Sequence, residues 1–222
     1  MRLDLHIHSR YSVDSRLDPR DIIRQAKSLS LDGVAITDHN SVEGSKKAFD
    51  YVKENESFIV LHGIEVSSSE GHILGYGVRE TIPRDLSPYE TVEYIVAQGG
   101  VAVAAHPYRF WSGLGEKFTL NTNFDTYEVL NARTSIKGNR MANNLAIEGK
   151  KGRIGGSDGH FIDEIGGAVT LLEERLRNED VILETLVKKR TNVEGSSRGI
   201  KATLRYVPKC VGEWIGRGFR KI

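Results

Sequence analysis

The chain has 222 residues, 39% of them hydrophobic, and 31 Lys and Arg stand against 30 Asp and Glu for a formal charge of +1. That length supports one domain with a real core, and the near-zero balance gives no electrostatic case for a nucleic-acid or membrane partner. A single cysteine, Cys210, excludes an internal disulfide and a thiolate metal cluster. Asp4 interrupts the N-terminal apolar stretch and no apolar run approaches the roughly 20 residues of a membrane span, so a soluble cytoplasmic protein is expected.

Residues 3–7 read as a short strand. Asp18-Pro19 then opens a helix, with Asp18 as N-cap and Pro19 in the first turn. Its apolar positions Ile22, Ile23, Ala26 and Leu29 recur at helical spacing. Gly33 precedes the apolar strand 34–36, and 41–53 reads as the next helix. A strand is expected over 58–66 and another over 72–76. Ser87-Pro88 caps a helix running to about residue 98, Gly99-Gly100 ends it, and 101–105 is an apolar strand. Residues 110–123 form the longest loop candidate; they carry Trp111 and are expected at a rim over any site. A strand at 126–130, a helix at 137–148, a short strand at 153–156, a strand at 168–172 and a helix at 178–189 complete the pattern.

This alternation favours a parallel α/β architecture in one unit, residues 1–195. The tail, residues 196–222, differs in carrying seven Lys and Arg against Glu213 alone. Pro208 would start an amphipathic helix there, with Val207, Val211, Trp214 and Ile215 turned onto the body. Contact of the basic tail with nucleic acid is the alternative.

Six of the seven histidines fall into short clusters, mostly with carboxylates: His6-Ile7-His8, Asp38-His39, Glu65 with His72, His106-Pro107, and Asp158-Gly159-His160. Spacing i, i+2 on a strand turns His6 and His8 to one face. If the strands are parallel, the clusters sit at C-terminal strand ends, where parallel barrels keep their active sites. Imidazole and carboxylate without thiolate suit Zn²⁺, Mn²⁺ or Fe²⁺. A lone His-Pro or Asp-His is ordinarily a turn feature; the joint placement is what points to a multi-metal site. His62 matches no cluster and is expected to be structural.

Asp4-Leu5-His6-Ile7-His8-Ser9, with Tyr11-Ser12-Val13-Asp14 after it, resembles the opening motif of the PHP (polymerase and histidinol phosphatase) family. Thr37-Asp38-His39-Asn40, Gly63-Ile64-Glu65-Val66-Ser67, Gly71-His72-Ile73-Leu74-Gly75, Ala105-His106-Pro107 and Gly156-Ser157-Asp158-Gly159-His160 resemble its later motifs, in order. The resemblance implies a distorted (β/α)7 TIM-like barrel binding two to three divalent ions (Mn, Zn or Fe). The family includes histidinol-phosphate phosphatases, nucleotide phosphatases, nucleases, and active or vestigial exonuclease domains of bacterial DNA polymerases. The implied ligands are His6, His8, Asp14, His39, Glu65, His72, His106, Asp158 and His160, with Glu65, Asp158 and His160 closest to the chemistry. Asp14 stands where some members have a third early histidine, one residue further from His8 than in the commonest form, and Ser15 replaces a glycine.

The pairing borrowed from the family puts His6, His8, Glu65 and Asp158 on one ion and Asp14, His39 and His160 on a second. Glu65 bridges to a third ion, held with His72 and His106. Asp4 and Asp38 are expected to orient imidazoles as outer partners. Arg109 and Arg133 follow strand ends and are candidates for substrate phosphate; Lys137, Tyr11 and Tyr108 are lesser candidates. The expected activity is hydrolysis of phosphate esters by a hydroxide generated at a trinuclear centre, on a phosphorylated small molecule or a nucleotide. Alternatives are a nuclease acting on oligonucleotides, a non-catalytic metal-binding module, and hydrolysis of C–N bonds.

Overall fold

A computed structural model describes residues 1–52, 57–188 and 191–197. β1 (Arg2–Ile7) is joined to β2 (Gly33–Ile36) by α1 (Pro19–Ser28), and the two strands pair in parallel. The start of α1 follows its sequence signals: the Asp18 carboxylate accepts from the Arg20 N–H, Pro19 fills the first turn, and Ile22, Ile23 and Ala26 are buried. α2 (Glu43–Tyr51) is shorter than expected and starts without a side-chain cap. β3 (Ile59–Leu61) extends the first sheet, parallel to β2.

The single strand expected over 58–66 is two strands in two sheets. β3 stops at His62, whose N–H donates to Glu179 Oε1 at 2.6 Å instead of to a neighbouring strand. β4 (Gly63–Ser67) then enters the second sheet and pairs antiparallel with β5 (His72–Tyr76). α3 (Pro88–Ala97) begins in a reciprocal capping box between Ser87 and Glu90. β6 (Val101–Ala104) runs antiparallel to β5. The expected loop 110–123 contains a helix, α4 (Gly115–Asn121), with Leu114 and Thr119 buried; at one to two turns it is too short for a periodic signal. β7 (Thr126–Asn131) and β8 (Gly152–Gly156) pair in parallel across α5 (Ile136–Glu148). β9 (Ala168–Leu172) is antiparallel to β1. After α6 (Glu179–Val187), an unforeseen β10 (Thr191–Gly195) is antiparallel to β9. The sheet is therefore mixed at β5, β9 and β10, where a parallel one was expected.

The sheet orders are β10-β9-β1-β2-β3 and β4-β5-β6-β7-β8. Isolated parallel bridges, His39 with Glu65 and Ile7 with Gly159, tie the two edges of the second sheet, at β4 and just after β8, to the segment after β2 and to β1 of the first, so the strands form an interrupted, barrel-like ring. Leu3, Leu5, Ala35, Leu61, Leu74, Val103, Ala105 and Ile154 form one apolar cluster contributed by strands of both sheets. Full burial of each leucine or isoleucine is worth about 1.5–3 kcal/mol. Helical residues such as Ile22, Ile23 and Ala48 pack with Ile7, Val34 and Ile36 in another. The register of β1 against β2 shifts between Asp4 and Ile7. Such bulges re-aim side chains beside active sites, and here His6 and His8 follow Leu5 with their Nε2 atoms brought together. The helix expected in the basic tail lies, beyond Ser197, outside the described residues. No helix among the described residues is long and apolar enough to cross a membrane.

Candidate metal centre

The histidine and carboxylate clusters converge on one end of the ring. β1 delivers His6 and His8, and the loop after it delivers Asp14. His39 follows β2, Glu65 lies in β4, His106 follows β6, and Asp158 and His160 follow β8. His72 opens its strand rather than ending it. Because β5 is antiparallel, with Ser67 opposite His72 and Ile73 opposite Ala104, its start lies at the same edge as the ends of its neighbours. All nine sequence-derived residues enter four overlapping sets of nitrogen and oxygen atoms: His8, Asp14, His39, His160; His6, His8, Asp158; His6, Glu65, His106; and His39, Glu65, His72. Within each set the atoms lie within 4.8 Å of one another.

Glu65 is the hub. Its Oε2 lies 3.3 Å from His6 Nε2 and 3.2 Å from both His8 Nε2 and His39 Nδ1. Its Oε1 lies 3.0 Å from His72 Nδ1 and from His106 Nε2. Asp158 Oδ1 is 3.4 Å from His8 Nε2, and Asp14 Oδ2 is 2.7 Å from His160 Nε2 and 3.6 Å from His39 Nε2. The sets place His106 with His6 and Glu65, and His72 with His39 and Glu65, dividing the third group expected from the sequence.

The donor chemistry fits divalent cations. Two imidazole nitrogens, His6 Nε2 and His8 Nε2, face each other at 3.2 Å. The buried Nδ1 of His39 has no hydrogen-bond partner, and its 3.2 Å approach to Glu65 lacks hydrogen-bond geometry, while His106 turns its Nε2 to Glu65. So many lone pairs around buried carboxylates are expensive unless cations complete them. With nitrogen and oxygen only, the set suits Zn²⁺, Mn²⁺ or Fe²⁺.

The electrostatics agree. Burial alone would raise Glu65, Asp158 and Asp14, but His39, His6 and His72 around Glu65, Arg109, His6 and Arg133 around Asp158, and His160 and His39 around Asp14 hold all three well below the ordinary carboxylate range. Burial likewise opposes protonation of His6 and His8, yet the carboxylates overcome it. His6 stands well above its usual value because of Glu128, Glu65 and Asp158, and Asp158 and Glu65 bring His8 to about 9. Burial depresses His39 and His106, and burial with Arg133 takes His160 to about 3. Those three rings are neutral at pH 7, the form that binds metal, whereas His6 and His8 would each give up a proton to a cation bound there.

Glu128, in the middle of β7, was missed by the sequence reading. It is fully buried, and its Oε1 lies 2.9 Å from His6 Nδ1 while its Oε2 accepts the His106 N–H at 2.8 Å. A carboxylate only accepts, so His6 Nδ1 carries the proton and Nε2 is left to face the centre. Asn131 Nδ2 donates to both oxygens of Glu128 at 3.2 Å and to Asp158 Oδ2 at 3.2 Å. His106 and Asp158 both hold positive φ, 28° and 53°, a cost that site residues accept when the surroundings fix them. Gly156 is required sterically: a Cβ there would sit 2.4 Å from His6 Cβ, so only glycine lets β8 close on β1 beside the ligand cluster. The signal available in the sequence was an acidic residue inside an apolar strand, since such residues are rarely buried unless paired.

Asp4 accepts from the N–H groups of Ser157 at 2.9 Å and Gly166 at 2.8 Å, and Asp38 from the N–H and hydroxyl of Ser9. These bonds tie backbone segments together rather than orienting rings, and burial pushes both carboxyls up to about 6. Arg109 Nη1 donates to Asp158 Oδ2, and Arg133 Nη1 donates to the Asp158 carbonyl at 3.3 Å and contacts His160 Nδ1. Both guanidinium groups therefore border the cluster. Lys137 is exposed, Tyr108 donates to Glu116, and Tyr11 is half-buried beside Arg10. His62, with its ring 3.0 Å from Glu179, stands apart from the cluster.

A PHP domain model matches residues 4–163, and a PHP-associated model matches residues 137–191. An uncharacterized protein of Methanocaldococcus jannaschii is 38% identical over 158 residues, 66% of this chain and 90% of that one. A Thermotoga maritima protein named "Probable histidinol-phosphatase" is 31% identical over 70 residues, 29% of this chain and 30% of its own. A two-domain Bacteroides vulgatus protein, described as containing a predicted PHP-like metal-dependent phosphoesterase, superposes with a TM-score of 0.69 at 18% identity; the match covers 95% of this chain and 70% of that one. A lesion-specific endonuclease of Pyrococcus furiosus gives a TM-score of 0.63 at 20% identity, over 84% of this chain and 56% of its own. At such identities the two structures speak for the fold, whereas the family model spans most of the chain and every ligand motif: the chain belongs to the PHP domain family.

Proposed function

We propose that this protein hydrolyses phosphate esters at a centre of up to three divalent ions, acting on a phosphorylated small molecule or a nucleotide. Family membership carries the coarser part, a metal-dependent phosphoesterase. The observation that carries the finer part is Glu65, one carboxylate within 3.3 Å of five imidazoles. Such a carboxylate would hold more than one ion, and two arginines lie alongside.

Bound divalent ions would activate a water and offset charge on the phosphoryl oxygens. The residues supply the rest. Three such ions would outweigh the charges of Asp14, Glu65 and Asp158 twofold, leaving a cationic centre that attracts an anion. Arg109 and Arg133, now bonded to Asp158 and its neighbours, would exchange those contacts for phosphoryl oxygens and orient the ester. Asp158 and His160 hold the two sides of the cluster together through Arg133 and Asp14.

The test is turnover of phosphomonoesters, nucleotides and short oligonucleotides by metal-loaded protein beside His8→Ala. Monoester hydrolysis lost in His8→Ala is the expected result. Hydrolysis of diesters alone would select the nuclease alternative, with which the fold shared with an endonuclease is compatible. Bound metal without turnover of any ester would leave a binding module.

A further inference from the structure

Among the described residues, the four most exposed large apolar side chains all lie within three residues of a side chain in or against the ligand cluster. Phe110 and Trp111 are 86% and 84% exposed, Ile136 is 76% and Val13 is 67%; no other exceeds 58%. Val13 precedes Asp14, Phe110 and Trp111 follow Arg109, and Ile136 lies three residues after Arg133. Scattered surface apolar residues are ordinary, but here the extremes fall on the loops after β1 and β6 and at the start of α5 after β7, and each of these segments also sends a charged residue into the cluster.

The loop bearing the aromatic pair is held firmly. Arg109 N–H donates to the His106 carbonyl at 2.9 Å, Gly113 N–H to the Arg109 carbonyl at 3.0 Å, and Gly115 N–H to the Pro107 carbonyl at 2.9 Å. The Ser112 carbonyl accepts from the His72 N–H at 2.9 Å. A Cβ at Gly113 would lie 2.4 Å from the Pro107 carbonyl oxygen, so the turn is closed as tightly as its backbone permits. The two rings meet edge to face, centroids 4.8 Å apart and planes at 83°, an arrangement that leaves ring faces open to water. The loop is thus fixed to the backbones of His72 and His106 while its aromatic side chains stay bare.

We propose that Phe110 and Trp111 form a stacking platform for a nucleobase carried by the phosphoester bound at the metal centre. This rests on the phosphoesterase reading and specifies its substrate class. A base is the planar group that would lie beside a phosphate held by Arg109, one peptide away from Phe110. Its π-face suits open aromatic faces, and a rigid platform costs little ordering on binding. Arg109, Arg133 and Asp14, on the same three segments, turn their charges inward to the cluster. That mixture suits one ligand with a charged end and a planar end better than an apolar protein surface. The base can belong to a mononucleotide or to the end of a strand.

Trp214→Phe leaves Trp111 as the chain's single tryptophan, and Trp111→Ala in the natural background controls for any effect of that change. Zn²⁺-loaded protein would be mixed in stopped flow with adenosine 5′-monophosphate, 5′-phosphorylated triadenylate or ribose 5-phosphate. Rapid quenching by either base-bearing probe, and not by ribose 5-phosphate, is expected, and the more effective probe identifies the source of the base. By calorimetry, the preference for adenosine 5′-monophosphate over ribose 5-phosphate should be on the order of 10-fold and collapse in Phe110→Ala/Trp111→Ala. No quenching by either base-bearing probe, equal quenching by ribose 5-phosphate, or an unchanged preference in the double variant would overturn the proposal. Hydrolysis is scored separately: quenching, with no turnover of these probes or of any ester in the wider panel, removes the phosphoesterase reading and leaves the platform standing.

Discussion

Replacing Glu128 gives the sharpest test of how the centre is built. Its two oxygens serve the His6 ring at 2.9 Å, the His106 N–H at 2.8 Å and the Asn131 amide at 3.2 Å, with no exposure to solvent. Glutamine keeps the volume but presents one oxygen and one NH₂ group, so at least one of these donors would face a donor. Leaving a buried donor unsatisfied costs roughly 1–3 kcal/mol. The same change releases His6 from the tautomer that leaves Nε2 free. Loss of such an outer partner typically weakens metal binding roughly 10- to 100-fold, about 1.4–2.7 kcal/mol. Calorimetric titration of the metal-free protein with Zn²⁺ should show that weakening in Glu128→Gln and a larger one in Glu128→Ala, with cooperative melting confirming that both fold. Zn²⁺ affinities within about threefold of the unaltered protein in both variants would refute the idea that Glu128 orients His6.

Glu65→Gln removes charge from the hub of five imidazoles; its metal content per chain should fall in elemental analysis, and activity should drop by more than the roughly 100-fold upper end of an outer-partner loss. Arg133→Ala should lower kcat/KM roughly 10- to 150-fold, the loss of one charge-assisted hydrogen bond of about 1.5–3 kcal/mol, far more than it changes metal content; unchanged kinetics would remove Arg133 from substrate binding. Glu179 tests the fold away from the centre. Burial would raise it, but hydrogen bonds from His62 and the charge of Arg79 hold it below its ordinary 4.5. A depressed folded pKa stabilises fully above the unfolded value and is lost as pH falls through the folded one. Glu179→Gln should therefore lower the Tm at pH 7, by roughly 4–8 °C for about 2 kcal/mol, and the deficit should shrink as the pH is taken below about 4.5. A deficit that stays constant into acid would show that the carboxylate charge is not what matters there.

What the sequence made legible is what local chain geometry controls. His6 and His8 share a face because two residues apart on a strand is one face, and His39, His106, Asp158 and His160 follow strands because loops at strand ends are where side chains can converge. Helix starts at Asp18, Ser87 and Asn178 were equally local, each cap bonding within its own first turn. The errors began where a distant partner decides. Nothing within 58–66 says that the strand must break, because the His62 N–H is taken by Glu179, 117 residues away. The reversal at His72 had a local signal that was passed over, since the four residues Ser68 to Gly71 are too few for a parallel crossover and can only turn a hairpin; without that reversal His72 would sit at the wrong end of the ring.

Glu128 is the extreme case, since its bond to His6 spans 122 residues and belongs to no short motif. A ligand motif can be short because the cation completes it, whereas a buried carboxylate that orients a ring must find its donors across the fold. The deeper determinants of this centre are therefore the least visible in the sequence. An acidic residue within an apolar strand of a metal-binding barrel is the place to look for them.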